Sequence, residues 1–354
     1  MGGDKAATRH EVSDRAAQRD ADAQVQRDVD TQVRRDADAQ TRCDAGAQVH
    51  RVANERIAIP AETAACGVPL DDAHCHVAFM ADSLAFARDA AAAGSHVLAA
   101  SVTPGEFASL RAKLQAACDP QPAARDAART QDDAPPSCAL SQAVGLHPWW
   151  VGDDVSSHLA AFDELLPTTR FVAEVGLDFA PRHADTQHEQ MRAFAHIARA
   201  CAAAGDKVLS VHSVRAATAA LDVLEDAGCF DGCTVVFHWF SGTSDELQRA
   251  IAAGCLFSVG ERMLATKRGR AYAAAIPAGR LLQETDAPYG PAPEPGGAGV
   301  PYSFAEVASE LGRALSRLAE ARRCDASSLA EAIRANGEAL WGPASAGPRT
   351  PIAR

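Results

Sequence analysis

The 354-residue chain contains no CxxC pair, although it has ten cysteines. The closest two, Cys229 and Cys233, are CxxxC with no matching second pair, which argues against a structural zinc cluster. No apolar run reaches the roughly 18 residues of a membrane-spanning helix, and the N-terminus lacks the apolar core of a secretory signal. Unpatterned thiols without such a signal point to a reducing, cytoplasmic setting. Basic residues are in deficit: 34 Lys+Arg against 46 Asp+Glu give a formal charge of −12. That balance excludes a protein that coats nucleic acid by bulk charge, which needs many phosphate-neutralising cations. It does not exclude an enzyme that grips a few phosphates through metal ions. Lysine occurs only at Lys5, Lys113, Lys207 and Lys267. No GxGxxG follows the first apolar run, so nothing supports a dinucleotide-binding open sheet.

Residues 1–60 stand apart. An eight-residue period runs through Arg19–Gln26, Arg27–Arg34, Arg35–Arg42 and Cys43–His50, with almost no large apolar residue. Such a segment cannot bury enough surface to offset its ordering entropy, so it reads as a disordered low-complexity extension. A period of eight also fails to keep one apolar seam for a coiled coil.

From about residue 66 to 345 the chain reads as one domain, with residues 346–354 as a second tail. Short apolar runs alternate with Ala-rich helical segments such as Asp82–Ala93, His188–Ala204 and Ala216–Ala227. The runs are Val68–Asp72, His96–Val102, Ala139–Leu146, Arg170–Val175, Lys207–Val211, Thr234–Phe237, Cys255–Val259 and Leu281–Glu284. Eight βα repeats predict a closed (β/α)8 TIM barrel of the α/β class. Residues 116–138, rich in Pro, Ala and Asp, read as a flexible surface insertion.

The strand ends carry the chemistry. Strand one leads into Asp72-Ala73-His74-Cys75-His76, strand three into His147-Pro148 and strand four into Glu174. Strand five leads into His212, strand six into His238 and strand eight into Glu284-Thr285-Asp286. All C-terminal strand ends of a barrel face one mouth, so six strands deliver imidazoles or carboxylates to one volume. Without cations those carboxylates would repel one another. A mixed imidazole and carboxylate set suits Zn, Mn, Fe or, with more water, Mg. His74 and His76, two apart on a strand, share a face and can chelate one ion.

These blocks, DAHCH, GLHP, AEVGLDF, VHS, FHWFSG and LLQETDAPY, resemble the ordered signatures of the TatD-type DNases over residues 68–342. The resemblance implies a metal-dependent hydrolase of DNA phosphodiester bonds, a 3′–5′ exonuclease on single strands or 3′ ends, using two divalent ions (Mg, Mn or Zn). It implies that His74, His76 and Asp286 hold the first ion and His212 and His238 the second, with Glu174 shared by both. Asp286 would also orient or deprotonate the attacking water, and His147 would sit by the scissile phosphate. Water held by such ions ionises near neutral pH, its pKa falling to about 7 in favourable zinc sites.

Arg182, Arg215 and the Lys267-Arg268-Gly269-Arg270 run are candidate phosphate contacts, though a charge run often marks only a solvated face. The sequence departs from the family at Val214, where an Arg is common and Arg215 follows instead, and at Trp239, where a smaller residue is usual. An alternative is amide or ester hydrolysis on the related amidohydrolase barrel, for instance by a D-aminoacyl-tRNA deacylase. Many two-metal members there bridge their ions with a carboxylated lysine at strand four, where this chain has Glu174.

Overall fold

The computed structural model describes residues 68–118, 139–289 and 297–342. The expected tails over 1–60 and 346–354 lie outside them. So do residues 119–138 of the expected insertion.

Eight strands follow one another in space as in sequence: β1 (Asp72–Cys75), β2 (Val97–Ala99), β3 (Leu140–Leu146), β4 (Phe171–Asp178), β5 (Val208–Val214), β6 (Thr234–His238), β7 (Leu256–Val259) and β8 (Leu281–Gln283). All pairs are parallel. The segment after β8 closes the barrel on β1, where Asp286 N donates to His74 O (2.8 Å) and His76 N to Ala287 O (2.7 Å).

The connecting helices are α1 (Ser83–Ala92), α2 (Pro104–Cys118), α3 (Val155–Leu165), α4 (Gln187–Ala204), α5 (Ala217–Asp226), α6 (Cys229–Gly232), α7 (Ser244–Ala252), α8 (Glu261–Ala265), α9 (Lys267–Ala275), α10 (Phe304–Arg322) and α11 (Ala326–Trp341). Helix α2 extends through Cys118, so the first residues assigned to the insertion are helical. Helix α4 buries Gln190, Ala193, Phe194, Ile197, Ala198 and Cys201. That spacing of three and four is one helical stripe, and each large apolar side chain it buries contributes roughly 1.5–3 kcal/mol. Capping boxes set the starts of α7 (Thr243 with Glu246) and α10 (Ser303 with Glu306).

Strand periodicity then positions the site. Leu209 and Val211 of β5, Val235 and Phe237 of β6, and Phe257 and Val259 of β7 pack in the large cluster shared with the helices. The alternate residues Val208, Val236 and Leu282 join a second cluster with Ala73, Leu98, Ala100, Ala143, Phe171 and Ala173, which fills the barrel lumen. Two residues further on the same face come Ser210, then His212, on β5, and His238 on β6. The lumen packing therefore sets the direction of the mouth residues. On β4 a register shift between Val172 and Val175 breaks the alternation. Glu174 consequently faces the same interior as Ala173.

Leu340 of α11, with Trp341 beside it, packs into the lumen cluster from the opposite end. There His96 stacks on Trp341 (centroids 4.5 Å, 26°) and its Nε2 lies 2.8 Å from Ser141 Oγ. Burial, reinforced by Arg334, lowers the His96 pKa to about 4. Above the unfolded value of 6.5 both states are neutral and His96 has no effect on stability. As pH falls through 6.5 the unfolded chain takes up the proton first, and stability is lost down to about pH 4. The loss is on the order of 2–3 kcal/mol. Urea titrations at about pH 7 and about pH 4.5 are expected to show His96→Gln losing less stability on acidification than the wild type. Equal losses would assign the acid sensitivity elsewhere.

Candidate active site

Glu174, buried at the centre of the mouth, organises the site. Its Oε1 lies 2.6 Å from His212 Nδ1, 2.7 Å from His238 Nε2 and 3.3 Å from His147 Nε2. Its Oε2 lies 3.3 Å from both His74 Nε2 and His76 Nε2. Asp286 Oδ1 is 3.4 Å from His76 Nε2 and 3.9 Å from His74 Nε2. The structure thus brings together all seven residues singled out around the mouth from the sequence. His74, His76, Glu174 and Asp286 form one group whose donor atoms all lie within 4.8 Å of one another, and His147, Glu174 and His212 form another.

Electrostatics shows how strongly the site attracts positive charge. Burial would raise the Glu174 pKa, but His147, His238, His74 and His212 together hold it well below the usual carboxylate range. Burial likewise opposes ionisation of Asp286, and His76 and His238 overcome it. Burial would also lower the His76 and His238 pKa values. The acids outweigh it, Asp286 and Glu174 raising His76 to about 10 and Glu174 raising His238 to about 9. His74 falls to about 4, through burial and then through His238, whose ring stacks on it at 4.1 Å. His147 also falls to about 4 by burial.

The partners behind each ring decide which nitrogen faces the centre. His74 Nδ1 meets Ser210 Oγ at 2.8 Å, His212 Nε2 lies 3.5 Å from Asp178 Oδ2, and His238 Nδ1 lies 3.8 Å from Glu284 Oε2. Ser210 can take the His74 Nδ1–H, leaving His74 Nε2 a lone pair toward the centre. Asp178 and Glu284 face the outer nitrogens of His212 and His238 at longer range. His147 differs. Its Nδ1 accepts from the Trp149 backbone N–H (3.1 Å), so the neutral ring carries its proton on the inward Nε2. His147 is therefore a donor at the mouth, while His74, whose Nδ1 faces Ser210, presents an acceptor. Imidazole nitrogens and carboxylate oxygens crowded this closely fit divalent cations, which would supply the positive charge that Glu174 and Asp286 draw in.

A model of the TatD related DNase family matches residues 71–342. The chain belongs to that family. The "3'-5' ssDNA/RNA exonuclease TatD" of Escherichia coli (strain K12) is 32% identical over 213 residues, which cover 56% of this chain and 76% of that protein. The protein of the same name from Shigella flexneri serotype 5b is equally similar. Among solved structures, the TatD homologue YJJV of E. coli K12 superposes with a TM-score of 0.55 at 24% identity, covering 77% of this chain and 97% of its own.

In this TatD-family chain, two residues beside the core set carry structure that the sequence leaves unassigned. Asp178 accepts from Trp149 Nε1 (2.6 Å) and the Ala180 backbone N–H (2.8 Å), and His212 and these donors hold it ionised against the effect of burial. Its signal in the sequence is its place on β4, four residues after Glu174 and so on the same strand face. Glu284 accepts from Ser258 Oγ and from Trp239 N (2.9 Å), and burial raises its pKa to about 8. It lies behind His238, and His74, His238 and Glu284 form a third group whose donor atoms all lie within 4.8 Å of one another.

Of the expected phosphate contacts, Arg215 is exposed directly after β5, with φ 53°. Arg182 is 61% exposed, with NH2 3.3 Å from Asp178 Oδ2. In the basic run, Arg270 donates to Leu264 O and Ala265 O, and Arg268 to Ser241 O. Those two cations serve the local fold. Asp178→Asn should weaken the hold on His212 and raise the Mn²⁺ concentration for half-maximal hydrolysis by about 10- to 100-fold. An unchanged activation curve would remove Asp178 from the site's support.

Proposed function

We propose that the chain is a divalent-metal-dependent 3′–5′ exonuclease acting on single-stranded DNA in the cytoplasm. The observation that carries the reading is the convergence of imidazoles and carboxylates on Glu174 and its surroundings, in a chain of the TatD related DNase family. His74, His76 and Asp286 would hold one ion, His212 and His238 a second, and Glu174 both. The metals would be Mg, Mn or Zn, and when bound would supply Lewis-acid activation of water and neutralisation of phosphate charge.

The chain's own residues account for the remaining steps. Asp286, held ionised and the most exposed of the set at 22%, can accept the proton of an attacking water at its carboxylate. His147, neutral and protonated at Nε2, can donate a hydrogen bond to an oxygen of the scissile phosphate. Its backbone tie through Trp149 fixes that tautomer. Arg215, directly after β5, and Arg182, four residues beyond β4, would contact phosphates or bases. Cys75, Cys201, Cys229, Cys233, Cys255 and Cys324 are free thiols. No helix among the described residues is long and apolar enough to cross a membrane.

The test is a hydrolysis panel with Mg²⁺, Mn²⁺ and Zn²⁺ on 3′-labelled single-stranded DNA, duplex DNA, RNA and a D-aminoacyl ester. Metal-dependent release of nucleotides from the 3′ end of the single strand is expected. Turnover of the D-aminoacyl ester alone would replace this reading with the deacylase one.

A further inference from the structure

Trp149 is the only exposed large hydrophobic residue among those described, at 48%. An indole left half in water is open to contact, and this one stands beside the site. Its backbone N–H binds His147 Nδ1 at 3.1 Å, and its ring centroid lies 6.2 Å from that of His212. The ring is also locked. Nε1 donates to the buried Asp178 carboxylate at 2.6 Å. Trp150 lies nearly parallel (centroids 6.3 Å, 14°), as does His183 (5.5 Å, 22°). The Arg182 guanidinium sits 5.0 Å from the indole centroid and returns to the same Asp178 oxygen at 3.3 Å. The result is a rigid aromatic and guanidinium platform at the rim, beside the residue that faces the scissile phosphate.

We propose that Trp149 and Arg182 form a stacking subsite for an unpaired nucleobase next to the phosphodiester being cleaved. This rests on the nuclease reading above and deepens it. Trp faces and Arg guanidinium planes are the surfaces on which proteins stack single-stranded bases. A chain with a net charge of −12 gains little from long-range attraction to DNA, so a contact that does not depend on phosphate neutralisation adds to the grip that metal ions would give. A base inside a duplex has both faces covered by its neighbours, and a terminal one is held in its pair and stacked on one side. Neither can seat on the platform as freely as an unpaired base. The subsite therefore selects frayed or single-stranded ends.

The test uses fluorescence anisotropy of a labelled oligothymidylate with uncleavable phosphorothioate linkages at its 3′ end. It is compared with the same strand carrying abasic residues at the terminal positions. The wild type should bind the base-bearing end about 5- to 150-fold more tightly than the abasic end. Trp149→Ala should bind both ends equally, and Trp149→Phe, which keeps an aromatic face but loses the Nε1 donor, should keep most of the preference. If Trp149 only anchors Asp178, Phe will behave as Ala does and the base preference will survive in both, which overturns the inference. A wild type that cleaves single-stranded DNA yet treats the two ends alike also overturns it, leaving the nuclease reading intact. A wild type that neither binds nor cleaves the strand overturns both.

Discussion

Glu174→Gln is expected to abolish hydrolysis of single-stranded DNA, lowering kcat/KM by about four orders of magnitude or more, the scale seen when one member of a catalytic unit is removed. The substitution is isosteric, so the loss would not come from a hole in the lumen. It replaces the oxygens that meet His212, His238, His147, His74 and His76 within 3.3 Å with an uncharged amide. In the wild type the negative charge of Glu174 contributes to raising the pKa of His76 and of His238. Without it the site loses the charge that both halves share. Kinetics at saturating Mn²⁺, with metal content measured on the same sample, would separate lost binding from lost chemistry. A variant with near-wild-type kcat/KM would show that the cluster is not the centre of the reaction.

Gly176→Ala is expected to destabilise the barrel by more than about 4 kcal/mol, a drop in Tm of about 10 °C or a failure to fold. Gly176 has φ 138°, where an L side chain is strained, and an added Cβ would collide with the carbonyl oxygen of His212. Gly176 and His212 are register partners in the β4–β5 ladder, so there is no flexible side chain to give way. Gly228→Ala provides the contrast. Its φ is 77° and an added Cβ would have nothing within 4 Å. Only the backbone cost of about 1 kcal/mol should appear there. Similar melting curves for the two variants would contradict the close approach of β4 and β5 on which the Glu174–His212 contact depends.

The strand succession and the donor set are legible in the sequence because each depends on local pattern. Apolar runs bounded by turn residues mark strands, and chemistry-bearing residues at their C-terminal ends converge in any barrel. The expected helices Asp82–Ala93, His188–Ala204 and Ala216–Ala227 match α1, α4 and α5 to within a residue at each end. Boundaries are less legible where the functional motif is itself the strand. The first apolar run is Val68–Asp72, but β1 spans Asp72–Cys75, because DAHCH carries the ladder and the donors together. The fourth run ends at Val175, but β4 continues to Asp178, because Gly176 looks like a turn residue and is instead a close-approach residue. The second run, His96–Val102, contracts to Val97–Ala99. The roles of Asp178 and Glu284 are out of reach of the sequence because they act through contacts 26 to 46 positions apart, such as Trp149 to Asp178 and His238 to Glu284.

The most direct measurement is an anomalous diffraction map from a crystal of the full chain soaked in Mn²⁺. Two peaks are expected, one on each side of the Glu174 carboxylate: the first against His74, His76 and Asp286, the second against His212 and His238. Peaks remote from Glu174, or none there at a Mn²⁺ concentration that supports hydrolysis, would contradict the account.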